Sequence, residues 1–245
     1  MWQPCTVACT AMLLAGCSVA VSGRAVTTSP LPEPPQRPIT KLLPDEAELS
    51  AALGSPMRSR YGGRPGGVEI LPNGKKGAAP VECLAVQSPA MGYTYSSAPV
   101  RAAIRLTWAT NTETIHLPTP NFRTTTGIIE LDTQASAHTW YSQFSTQWRQ
   151  CEDRTVTLQV NANYTLTYEI TSVSDDGNRI TSTELLSGPG TRRPGVVQRV
   201  LAQEGRYLID TETIDTTEDP GKTPPTTHDA ETITDLIAHK INTPN

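Results

Sequence analysis

The segment DTQASAHTWYSQFSTQWRQC, residues 132–151, decides the fold class. Ala137, Trp140, Tyr141, Phe144 and Trp148 recur at the 3.6-residue spacing that gathers side chains on one helix face. Asp132 stands where a carboxylate can cap the helix start, accepting from its first backbone N–H groups. The whole chain has only two phenylalanines and four tryptophans, so this stripe concentrates much of its bulk. Such a stripe packs on a sheet; the other use of the same residues is an aromatic box around a ligand.

Strands are predicted on both sides of the helix. Upstream, VRAAIRLTW (100–108) alternates Val100, Ala102, Ile104, Leu106 and Trp108 with Arg101 and Arg105, the pattern of a half-buried strand. Downstream, Thr- and Val-rich segments at 155–160, 164–173, 179–186, 196–203 and 206–214 are punctuated by SDDGNR (174–179) and EG (204–205) as hairpin turns. PDEAELSAALG (44–54) has helix start and stop signals, with Ala47, Leu49, Ala52 and Leu53 available for burial. The Gly- and Pro-rich stretch 62–80 is predicted to be largely irregular. DAETITDLIAHKI (229–241) closes the chain as an amphipathic helix with Ile233, Leu236, Ile237 and Ile241 on one side. A helix, a strand, a long helix, a strand meander and a closing helix make an α+β domain: an antiparallel β-sheet flanked by helices.

The N-terminus predicts the compartment. Val7 to Gly16 is apolar or small except at Thr10, and too short for the about 20 residues that span a bilayer. Leu14-Ala15-Gly16-Cys17 fits a lipobox, with Cys17 as the lipidated first residue after cleavage. Met1 to Thr6 lacks the positive charge usual in export signals, and a buried N-terminal helix with an incidental cysteine is the other reading. Residues 18–40 contain five prolines and no long apolar run, a composition suited to a semi-rigid spacer. The expected layout is a signal peptide at 1–16, lipidated Cys17 and tether at 17–40, and a domain at 41–245 on the extracytoplasmic face of the cell membrane. Two or more acyl chains give a stable anchor.

Cysteine use agrees with export. Cys5 and Cys9 leave with the signal and Cys17 is acylated, so Cys83 and Cys151 remain with one possible pairing. In an oxidising compartment such a pair joins, which the chain-entropy model values at about 4 kcal/mol for a loop of this length. Metal binding and a reactive thiol are the alternatives, but no CxxC occurs and no histidine has ligand spacing from either cysteine.

Several chemistries are excluded. The net charge of −4 argues against nucleic acid. GKT at 221–223 lacks the phosphate-loop glycine, which would fall at Thr216. Asp175-Asp176-Gly177-Asn178 has no EF-hand continuation and suits a turn. His116, His138, His228 and His239 are scattered without zinc spacing. GxSxG is absent, and Arg192-Arg193 lie in a Gly/Pro loop. No catalytic residue, metal site or cofactor is therefore expected.

The acidic helix at 44–54, VECLAVQSPAMGYTY (81–95) with its cysteine, the alternating strand, a helix ending WRQC (148–151), the meander and the last helix together resemble a known domain. It is the extracytoplasmic sensor domain of mycobacterial PknH-type serine/threonine kinases, also carried by lipoproteins without a kinase. The resemblance covers about residues 41–241. It implies a sheet flanked by helices and a cleft for an unidentified ligand. The kinase domain has two disulfides, whereas this mature chain can form one, from Cys83 and Cys151. No kinase half accompanies the domain in this sequence, so binding would not signal through an attached catalytic domain. Ligand-contact residues do not transfer, because the matching motifs are structural.

The function expected from these readings is a non-catalytic, lipid-anchored envelope lipoprotein that binds a small molecule, a lipid or a wall fragment, or docks an envelope protein. A scaffold without a small ligand is the second class, and an envelope hydrolase the third.

Overall fold

In the computed structural model, which describes residues 37–74, 77–110, 122–190, 193–215 and 228–243, the longest helix runs from Gln134 to Gln150. In chain order the elements are α1 (Glu46–Leu53), β1 (Met57–Gly62), β2 (Ala78–Ala79), α2 (Leu84–Gln87), α3 (Gly92–Tyr95), β3 (Val100–Thr110), β4 (Phe122–Leu131), α4 (Gln134–Gln150), β5 (Thr155–Asn161), β6 (Tyr164–Asp175), β7 (Arg179–Ser187), β8 (Gly195–Glu204), β9 (Tyr207–Asp215) and α5 (Asp229–Asn242). The nine described strands form one antiparallel sheet in the order β1-β3-β4-β9-β8-β7-β6-β5-β2. Helices cover both faces, the α+β architecture expected from the sequence. Residues 1–36, with the expected signal peptide, Cys17 and most of the expected tether, lie outside the described residues, as do His116, Arg192 and the GKT segment. Core packing starts at Ile39, just ahead of Lys41.

On one face α4 lays Ala137, Tyr141, Phe144 and Trp148 over Ile129, Leu131, Ile180, Leu201 and Leu208. Trp140 belongs to the rim of this stripe, half-buried and tilted against Phe144 with ring centroids 5.6 Å apart. The helix is capped by Thr133 rather than Asp132: Thr133 Oγ1 accepts from Ser136 N–H at 3.0 Å. Asp132 lies one residue past β4, its N–H bound to Pro99 O. Cys151, just past the helix, joins Cys83 at the start of α2, with Cα atoms 5.7 Å apart. The bond pins the segment from Cys83 to Tyr95 against the same sheet face.

The other face packs α1 and α5 against Ile104, Trp108, Ile128 and Ile209. Asp45 and Glu48 form a reciprocal capping box at the start of α1. Only Leu49 of α1 is fully buried; Leu53 is half-buried and Ala47 and Ala52 are exposed, because one edge of this two-turn helix meets the sheet. Strand β3 is covered on both sides, with Ala103 in one core and Ile104 and Trp108 in the other. A register shift between Val100 and Ala102 turns Val100 onto the α4 side, so it leaves the face of Ala102, Ile104, Leu106 and Trp108.

Strand β4 is absent from the elements that periodicity picks out. Its residues are nearly all buried, and a strand covered on both faces shows no polar–apolar alternation. The 57–62 strand escapes for the opposite reason: as the sheet edge it is exposed except at Met57.

Candidate functional site

Cross-strand register places a line of polar residues over six strands on the α4 side of the sheet. Ser182 of β7 faces Arg199 of β8, Arg199 faces Glu212 of β9, and Glu212 faces Thr125 of β4. Thr125 faces Thr107 of β3, which faces Tyr61 of β1. The first five are 0–4% exposed, whereas Tyr61 at the sheet edge is 55% exposed. On flanking rows lie Asp210, Gly127 and Arg105 on one side, and Glu184 and Arg123 on the other.

The segment from Cys83 to Tyr95 lies over this line, and Arg199 and Asp210 hold it there. Arg199 Nε donates to Val86 O at 2.6 Å, while Nη2 donates to Ala85 O at 3.1 Å and Asp210 Oδ1 at 2.8 Å. Its Nη1 donates to Thr211 O at 2.8 Å, and the guanidinium stacks on the Trp148 ring at 5.2 Å. The other Asp210 oxygen accepts from Ala90 N–H at 2.8 Å and Tyr95 O–H at 2.9 Å. Four of the five Arg199 N–H groups and both Asp210 oxygens are engaged, so the pair is a structural clamp. The clamp draws the backbone so close that a Cβ on Gly127 would sit 2.1 Å from Ala90 Cβ, hence glycine there.

Two charged groups on the flanking rows are incompletely satisfied. Glu184 is fully buried and its Oε2 has no hydrogen-bond partner among the described residues. Its Oε1 meets Ser182 Oγ at a long 3.4 Å. Burial pushes the Glu184 carboxyl up to about 8, with Glu212 adding to the rise and Arg199 opposing it. Arg123 Nε is likewise buried without a partner among the described residues, and Arg123 Nη2 is 3.5 Å from Glu212 Oε1. Burial pulls Arg105 below the usual arginine range against the attraction of Glu212 and Tyr61. The Tyr168 phenol is raised, first by burial and then by Glu212, and it meets Gln87.

The residues singled out from sequence fall elsewhere, apart from the disulfide that secures the covering segment. Asp175 and Asp176 accept from Gly177 N–H and Arg179 N–H, fastening the β6–β7 turn. His138 faces Gln203 and His228 faces Glu231 on exposed surface. Among the described residues no three His, Cys, Asp or Glu side chains are grouped to hold a metal. Sequence reasoning missed the polar line itself. A signal was present in three strands whose same-face residues read Ile180-Ser182-Glu184-Leu186, Val197-Arg199-Leu201 and Leu208-Asp210-Glu212-Ile214: polar groups bracketed by apolar ones.

The model of the PknH-like extracellular domain family matches residues 34–241. The crystal structure of the extracellular domain of PknH from Mycobacterium tuberculosis aligns with a TM-score of 0.65 at 16% identity, over 82% of this chain and 93% of that one, and so shares its fold. A putative uncharacterised protein from Mycobacterium smegmatis aligns with a TM-score of 0.40 at 13% identity, over 83% of this chain and 97% of its own. No curated protein matches the chain. With 208 consecutive residues under the family's model and a shared sheet architecture, the chain belongs to the PknH-like extracellular domain family.

Proposed function

We propose that this chain is a lipid-anchored, non-catalytic sensor-type lipoprotein of the cell envelope that binds a ligand at the solvent end of the polar line. The observation that carries this reading is Arg123, whose Nε is buried without a partner among the described residues while its side chain reaches solvent. A buried polar group left unpaired costs about 1–3 kcal/mol, so the fold gains when a ligand supplies the partner that Arg123 Nε lacks. The Arg199–Asp210 pair is engaged in holding backbone, which fits a binding rather than a catalytic use of the line.

Native mass spectrometry of the full chain, extracted in mild detergent from its own envelope, tests binding. The expected result is a reproducible added mass beyond lipid on the N-terminal cysteine. A bare lipidated mass moves the reading to a scaffold that docks another protein. Anchoring has a separate test. No helix among the described residues is long and apolar enough to cross a membrane. Cys17→Ala is expected to shift the protein from the membrane fraction to the soluble one, since acyl chains would be the whole attachment. Detergent-dependent extraction of the variant would overturn lipidation at Cys17.

A further inference from the structure

Three arginines lie on or beside the polar line, and they are differently employed. Arg199 is neutralised by Asp210 and makes four hydrogen bonds. Arg123 has Glu212 at 3.5 Å, a buried Nε without a partner among the described residues, and a side chain 42% exposed to solvent. Arg105, half-buried on the adjacent strand, uses Nε on Pro89 O at 3.2 Å. Its terminal nitrogens have no acceptor among the described residues and lie in the fields of Glu212, Tyr61 and Arg123. Two carboxylates, Asp210 and Glu212, stand against three guanidinium groups, leaving an excess of one positive charge while Glu184 keeps its proton. The Tyr61 side chain, at the β1 edge and near enough to Arg105 to act on its charge, is 55% exposed to solvent.

We infer that this rim is an oxyanion subsite, in which Arg105 and Arg123 receive a carboxylate or phosphate group and the Tyr61 ring packs on the body of the ligand. Guanidinium forks match both oxyanions, and charge-assisted hydrogen bonds to them are roughly twice as strong as neutral ones. An incoming anion cancels the excess charge and satisfies Arg123 Nε or the Arg105 terminal nitrogens. Glu212 stays behind it, keeping Arg123 in place and setting a repulsive limit on how deep an anion can enter. The inference rests on the proposed binding reading and adds to it the chemical class of the ligand.

Three probes with one ring separate the terms: glucuronate, glucose phosphate and glucose, titrated into the full-length lipidated chain in detergent and followed by isothermal calorimetry. At least one anionic probe is expected to bind about tenfold tighter than glucose, a factor equivalent to about 1.4 kcal/mol. The tighter of the two tells a carboxylate source from a phosphate source. Arg123→Gln and Arg105→Gln should each erase that preference, Arg123→Lys should retain part of it, and Tyr61→Ala should weaken all bound probes alike. The lysine variant keeps the charge, so it separates loss of the anion contact from loss of the fold, which circular dichroism monitors independently. Equal affinity for the three probes, failure of all three to bind, or a preference untouched by Arg105→Gln and Arg123→Gln would overturn the subsite. A neutral compound found by native mass spectrometry would overturn it too while leaving the binding reading intact, whereas a bare mass would remove that reading first.

Discussion

Asp210→Ala is expected to lower the unfolding free energy by about 3–5 kcal/mol, the cost of leaving a buried charge without its partner. Arg199 would remain wholly buried, with Asp210 Oδ1 gone from its Nη2. Ala90 N–H and the Tyr95 hydroxyl would lose their shared acceptor. The loss would concentrate in the covering segment, because Ala90 and Tyr95 are its contacts to the carboxylate. Urea unfolding gives the magnitude and amide exchange gives the place: faster exchange across residues 84–95, with the β6–β7 hairpin little changed. Arg199→Met combined with Asp210→Ala is expected to cost less than the sum of the single changes, since replacing both charges removes the uncompensated one. Strictly additive losses would show that the two residues do not act as a clamp.

Glu184→Gln is expected to remove a pH dependence that the wild-type chain carries. The carboxyl rises from 4.5 in the unfolded chain to about 8 in the fold, with desolvation the principal cause. Between those values the folded chain holds a proton that the unfolded chain has released. Stability therefore falls as pH rises through this window, then levels off above the folded value. A shift of this size corresponds to a loss on the order of 4 kcal/mol across the window. Glutamine keeps the shape and has no proton to lose, so its profile should be flatter and its stability higher than wild type at mildly alkaline pH. The check is a series of urea midpoints at constant m-value from mildly acidic to mildly alkaline pH. Parallel profiles for the two proteins would mean that Glu184 ionises freely in the fold.

The elements legible in the sequence share one property: each has one covered and one open face, or chemistry that marks its end. The α4 stripe, the SDDGNR and EG turns and the α5 face were readable because burial on one side imprints a period of 3.6 or 2. Strand β4 was not, although it lies near the middle of the sheet, because both its faces are buried and its β-branched run carries no alternation. The cap of α4 moved from Asp132 to Thr133 because Asp132, one residue past β4, is tied by its N–H to Pro99 O. The bulge after Val100 moved one side chain across the sheet for a reason that lies in its neighbour's register.

By itself the sequence determined the α+β class and the helices and hairpins that build the meander. Those depend on local periodicity and turn chemistry, which need no knowledge of neighbours. Only the tertiary structure decided that Ser182, Arg199, Glu212, Thr125, Thr107 and Tyr61 form one line, and that Glu184 and Arg123 lie incompletely paired beside it. Strand register brings these residues together from distant parts of the chain, and the energy of each charge depends on what covers it. Arg199 and Arg123 are the same residue type on neighbouring rows, yet one is a sealed clamp and the other reaches solvent. The difference comes from the segment drawn over Arg199 by Cys83–Cys151 and Asp210.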